Sequence, residues 1–182
     1  YIMSKILVDT IDTRSGTSNI TIGSSNVSQI TLKSGATLTN FPGVPAFAVR
    51  KTDGNQAYSQ ATATKVTFNN EFIDTNSAFA DSKFTVPSGQ AGVYQFNVSI
   101  RMGTIAADSG MSVFLYVNGS EYTPIVVYIT DESENPVFGG VQALDLSASD
   151  YVEVYASTNG GGGNFFSNGC QFTGFRLGTW AH

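Results

Sequence analysis

Charge is scarce in this chain of 182 residues: Asp, Glu, Lys and Arg together make up 13% of it, about half the roughly 25% of an ordinary soluble domain. Water-facing positions must therefore be filled by Ser, Thr, Asn, Gln and Gly, a balance that suits β-structure better than exposed helices. Basic side chains are the fewer, nine against fourteen acidic, for a net charge of −5 and a sequence pI near 4.6. A nucleic-acid backbone would be repelled by such a surface, so no nucleic-acid partner is expected. A single cysteine, Cys170, excludes an intrachain disulfide, and there is no Cys/His cluster to hold zinc. The one histidine is the last residue, His182, which leaves no base for a Ser-His-Asp or Cys-His centre. No apolar run is long enough to span a bilayer and no secretion signal is visible in residues 1–40, so a soluble protein without membrane insertion is expected. Met3-Ser4-Lys5 reads like a natural start, which leaves Tyr1 and Ile2 as extraneous residues.

What is present is hydrophobic and aromatic. Apolar residues make up 41% of the chain and aromatics 12%, enough for a packed core. The length fits one all-β domain with a short appendage. Residues 1–44 are the appendage: Ser, Thr, Asn and Gly with isolated aliphatic pairs such as Ile20/Ile22 and Ile30/Leu32, and no aromatic between Tyr1 and Phe41. Such pieces cannot bury their apolar edges alone. They read either as a linker or as a β-rich segment that is stable only against other chains.

Phe41-Pro42-Gly43-Val44-Pro45 marks a boundary, and residues 45–182 read as a separate domain. Strands are expected near 45–50, 65–73, 83–86, 92–101, 111–117, 123–130, 137–146, 151–157 and 170–178, with almost no helix. Asn118-Gly119 between two apolar runs signals a hairpin. Many strands and little else imply a sandwich or barrel. Tyr94, Phe96, Val98 and Ile100 alternate with Gln95, Asn97 and Ser99, which gives that strand one inner and one outer face. Elsewhere large rings fall on both faces: Tyr151 and Tyr155 oppose Val152, Val154 and Ala156, and Phe175 and Leu177 oppose Phe172. Rings on both sides of a sheet suggest a subunit interface.

From Pro45 to Gly178 the sequence resembles the globular head domain shared by complement C-one-q and the tumour-necrosis-factor superfamily. The ordered pieces are Pro45-Ala46-Phe47-Ala48-Val49, Val66-Thr67-Phe68-Asn69 with Ala78-Phe79, Phe84-Thr85-Val86-Pro87, Gly92-Val93-Tyr94-Gln95-Phe96, Leu115-Tyr116-Val117-Asn118-Gly119, Leu144-Asp145-Leu146 leading into Asp150-Tyr151-Val152-Glu153-Val154, and Phe172-Thr173-Gly174-Phe175-Arg176-Leu177. The resemblance implies a ten-stranded jelly roll that forms compact homotrimers, with Tyr151, Tyr155 and Phe172 near the threefold axis. Residues 1–44 hold no collagen-like Gly-X-Y repeat. Residues 5–40 instead resemble segments of phage tail fibres and other virion appendages, so a bacteriophage fibre, spike or surface protein is expected, bound to other virion proteins through residues 1–44.

Loop chemistry offers less. Tyr58, Asn164, Phe165 and Phe166 form the candidate surface for a host glycan or protein, and could equally pack beneath a loop. Gly160–Gly163 lacks the Lys-Ser or Lys-Thr of a phosphate-binding loop and reads as a mobile loop. Asp131, Glu132 and Glu134 read as a solvated acidic loop rather than the carboxylate pair of a glycosidase. Calcium remains possible there or at Asp74-Thr75-Asn76, although the latter breaks the EF-hand pattern. The Asn-x-Ser/Thr triplets at Asn19, Asn26, Asn97 and Asn118 carry no weight in a Ser/Thr-rich chain. The reading is of a non-enzymatic virion protein with an exposed head for host attachment and no required cofactor. An architectural decoration protein and a polysaccharide-degrading spike stand as alternatives.

Overall fold

A computed structural model describes residues 44–103, 105–130 and 135–178. The expected stalk, apart from Val44, and the acidic trio Asp131, Glu132 and Glu134 lie outside the described residues, as does His182.

Thirteen strands and no helix are found among the described residues. In chain order they are β1 (Ala46–Arg50), β2 (Gln56–Tyr58), β3 (Thr64–Lys65), β4 (Asn70–Asp74), β5 (Phe79–Ala80), β6 (Lys83–Thr85), β7 (Gly92–Gly103), β8 (Ser109–Val117), β9 (Ser120–Thr130), β10 (Val137–Leu146), β11 (Tyr151–Thr158), β12 (Gly163–Phe165) and β13 (Gln171–Gly178). The count exceeds ten because pieces of two or three residues stand apart as β2, β3, β5, β6 and β12. Seven strands form one antiparallel sheet in the order β2-β12-β7-β13-β1-β4, with β10 on the other side of β7. Six form the second, β5-β6-β11-β8-β9, with β3 also paired to β11. This is the jelly-roll sandwich expected.

Alternation decides what fills it. Tyr94, Phe96, Val98, Ile100 and Met102 of β7 are all buried, while Gln95, Asn97 and Ser99 face outward. From the opposite sheet Val152, Val154 and Ala156 of β11 meet them with no exposed surface. Each such valine contributes about 1.5–3 kcal/mol by leaving water. Gly174 occupies an inward position on β13 where a Cβ would lie 2.6 Å from Phe47 and 2.7 Å from Phe96, so only glycine lets those rings close over the strand.

The run expected at 65–73 is divided. Lys65 pairs with Tyr155 in the six-stranded sheet, whereas Asn70 pairs with Arg50 in the seven-stranded one. Between them the chain crosses the sandwich, burying Val66 and Phe68. Asn118 and Gly119 both hold positive φ, 52° and 77°, and close the β8–β9 hairpin as a tight turn of the kind that suits twisted strands.

Gly163 is the correction to the mobile-loop reading. It opens β12, which pairs with β2 and β7, and a Cβ there would run into the Gly103 carbonyl oxygen. Glycine at 163 admits this close backbone approach.

Candidate functional site

The two outer sheet faces differ in chemistry. On the seven-stranded sheet, register places Val141 of β10 opposite Asn97, Asn97 opposite Thr173, and Thr173 opposite Ala48. The Asn97 Nδ2 donates to Thr173 Oγ1 at 3.2 Å along this row. The next row runs Ala143, Gln95, Phe175, Ala46. Neither row holds a charged side chain. Val137, Val141, Phe175 and Leu177 on this sheet are 61%, 60%, 39% and 55% exposed. Scattered outer aliphatics are ordinary, but a charge-free run crossing four strands is the composition of an interface core.

The six-stranded sheet is busier. Tyr151, Glu153 and Tyr155 of β11 point outward beside Phe114 and Tyr116 of β8. Tyr116 and Tyr155 stack with ring centroids 4.0 Å apart and planes inclined by 23°. Lys65 Nζ donates to Glu153 Oε1 at 2.6 Å and to the Asp81 carbonyl at 2.7 Å, which explains how Glu153 is tolerated at 7% exposure. Lys83 sits over the Tyr151 ring at 4.9 Å. Burial pushes the Tyr155 hydroxyl above its ordinary pKa, and the Glu153 charge adds to that. At the free edge of this sheet Val127 and Ile129 of β9 are 67% and 71% exposed.

The three residues expected at a trimer axis do not form one patch. Phe172 is a correction: it has no exposed surface and packs edge-on against Phe47 at 4.8 Å. Its register partner on β7 is Val98, which points inward, and pairing forces the two onto the same face. The outward positions on β13 belong to Phe175 and Leu177. Tyr151 and Tyr155 do face outward, on the other sheet and already engaged by Lys83 and Tyr116.

The expected receptor loop is drawn inward at two of its four residues. Tyr58 is buried, its hydroxyl donates to the Gly103 carbonyl at 2.8 Å, and its ring lies 4.9 Å from that of Phe165, which has no exposed surface. Phe166 is partly buried with the Arg101 guanidinium 4.7 Å from its ring centre. Asn164 is held in the ladder between Ala57 and Gly103. Packing under the surface wins for Tyr58 and Phe165 because β12 brings them inside.

The Asp74 carboxylate accepts backbone N–H bonds from Ala78 and Phe79 at 2.9 and 3.0 Å, so Asp74-Thr75-Asn76 serves as a turn. Among the described residues no three His, Cys, Asp or Glu side chains converge as metal ligands, and no helix is long and apolar enough to cross a membrane. Lys51, only 2% exposed, is satisfied by Asp53 and Thr67. Sequence reasoning missed the Val137/Val141 patch. Its signal was legible in β10, where Val137, Val141 and Ala143 alternate with the inward Phe138, Leu144 and Leu146, but Gly139-Gly140 interrupts the pattern.

No protein-family profile matches the chain. The phage-like element PBSX protein XkdV of Bacillus subtilis strain 168 is 25% identical over 111 residues, 57% of this chain, and the chain spans only 16% of that relative's length. Among solved structures, the globular domain of zebrafish complement 1qA protein superposes with a TM-score of 0.55 at 18% identity, covering 76% of this chain and all of that one. The PRD1 vertex protein gives 0.56 at 12% identity over 75% of this chain and 99% of its own. The tumour necrosis factor Eiger of S. frugiperda gives 0.54 at 14% over 76% and 96%. The expected resemblance thus holds at the level of fold: the described domain is a jelly roll of the complement and tumour-necrosis-factor kind, shared with a phage vertex protein.

Proposed function

We propose that this domain is the exposed head of a non-enzymatic structural protein of a phage or phage-like particle, and that three copies close on one another through the outer face of the seven-stranded sheet. The observation that carries the reading is the charge-free pair of rows from Val141 to Ala48 and from Ala143 to Ala46, with Val137, Phe175 and Leu177 beside them. In a chain without disulfides, covering this face supplies stability at roughly 25 cal/mol per Å² of apolar area. The trimer itself is what the resemblance implies. The similarity to the PBSX protein and the fold shared with the PRD1 vertex protein support the particle setting. Residues 1–44, with their isolated aliphatic pairs and no aromatic between Tyr1 and Phe41, would meet the rest of the particle.

Two of the residues expected to contact a host glycan lie in the core and a third is fixed in a strand ladder, which favours an architectural role over a sugar-binding tip. Native mass spectrometry of the full chain, with antibody labelling of particles in the electron microscope, tests the proposal. A mass of three chains and label on the particle surface are expected. A single-chain mass at micromolar concentration, or particles free of label, would remove it.

A further inference from the structure

We infer that Tyr116 and Tyr155 constitute a site for oxidative cross-linking, at which a one-electron oxidant joins the two rings within one chain and ties β8 covalently to β11.

The geometry is already that of a reacting pair. The rings lie 4.0 Å apart, centroid to centroid, and within 23° of parallel. Tyr116 pairs with Glu153 and Tyr155 with Phe114, so the two tyrosines are diagonal neighbours across an antiparallel ladder whose next residues inward, Leu115 and Val154, face each other with no exposed surface. Those buried neighbours fix the backbone from which both rings project. Holding two partners in contact turns an encounter between separate molecules into an internal step, an advantage of many orders of magnitude in effective concentration. Both rings are partly buried, so each keeps some surface open to an oxidant.

The chemistry balances simply. Each phenol gives one electron to the oxidant and one proton to water. The two phenoxyl radicals couple between ring carbons ortho to oxygen, and the two ring hydrogens at the new bond move to the oxygens as the rings regain aromaticity. The chain loses two hydrogen atoms in all, and the oxidant gains two electrons.

Among the described residues the sulfur-bearing sinks are withdrawn. Met102 and Met111 are buried, and Cys170 has no exposed surface, with burial pushing its thiol pKa up so that little thiolate is present. Tyr122 is 60% exposed and stacks on no ring among the described residues, so it lacks a pre-positioned partner there. The proposal does not depend on the trimer, because the pair lies on the opposite sheet from the two charge-free rows.

The test is visible-light oxidation of dilute full-length protein with ruthenium tris-bipyridine and persulfate. Expected are dityrosine fluorescence, a single-chain mass lowered by two hydrogens, and a linked peptide pair carrying Tyr116 and Tyr155. Tyr116→Phe and Tyr155→Phe, each shown by circular dichroism to remain folded, should both drop the intrachain product to background, while Tyr122→Phe should leave it unchanged. Linkage through other tyrosines, linkage only between chains, or consumption of oxidant without dityrosine would overturn the assignment.

Discussion

Phe47 of β1 and Phe84 of β6 stack at 4.8 Å with their planes 15° apart, although they belong to opposite sheets. Phe79 stacks on Phe47 at 5.3 Å and Phe172 meets it edge-on, so one ring bolts the sandwich together from four directions, with Phe96 completing the set at 6.2 Å. Such ring pairs contribute about 0.5–1.5 kcal/mol beyond the area they bury. Phe84→Ala should therefore cost about 3–5 kcal/mol by urea unfolding, the range for emptying a large aromatic site in a core. A loss under about 1 kcal/mol would mean that the two sheets do not close through this pair.

Gly174→Ala should destabilise by about 1–3 kcal/mol, because its Cβ would press on Phe47 and Phe96. Gly178→Ala on the same strand meets nothing within 4 Å and serves as the neutral control. Equal melting temperatures for the two variants would contradict the packing described.

The β8–β9 turn is clamped from outside the hairpin. Asn118 Nδ2 donates to Asp150 Oδ1 at 2.8 Å, and the Tyr151 N–H donates to Asn118 Oδ1 at 3.0 Å. Asn118→Ala removes both bonds and places a less suitable residue at positive φ, a loss of about 1–3 kcal/mol. Asn118→Ala and Asp150→Ala should be less than additive, since they share one bond. Strict additivity in a double-mutant cycle would refute the coupling.

Alkaline pH should weaken the fold. Burial raises the pKa of Tyr58, Tyr94, Tyr116, Tyr155 and Cys170 above their values in the unfolded chain. In each case the folded state holds the proton more tightly, so the contribution is complete below the unfolded pKa and is lost as pH rises. The decline should begin near the ordinary thiol value of 9.0 and steepen through the tyrosine value of 10.0. Unfolding midpoints recorded from neutral pH upward check this, and a rising midpoint across that window would reverse the sign.

A charge set into the charge-free rows should separate the copies. Val141→Lys and Phe175→Lys are expected to give the single-chain mass with an unchanged circular dichroism spectrum, because an unpaired buried charge is intolerable in an interface core. Glu121→Lys, an exposed change on the other sheet, should leave the three-chain mass intact. Dissociation by Glu121→Lys alone would move the interface to the six-stranded sheet.

The class of fold and much of the core were legible in the chain. The alternation of Tyr94, Phe96, Val98 and Ile100 named their buried face, and Asn118-Gly119 named the hairpin, because a two-residue period and positive φ are local properties. Short strands such as β2, β5 and β12 were not legible, since two or three residues carry no period and exist only because a partner lies alongside.

The surfaces divide along the same line. By itself the sequence determined that the rings of β11 share one face while those of β13 fall on both, that charge is sparse, and that no disulfide or histidine-based chemistry is available. Only the tertiary structure decided which of those rings share a surface. Phe172 went inside with Val98 and Phe47, Phe165 went inside with Tyr58, and Ala143 came into line with Phe175 from a distant part of the chain. The reason is physical: alternation tells a strand that it has two faces, but which face looks inward, and what lies beside it, is set by the register of neighbouring strands far away in sequence.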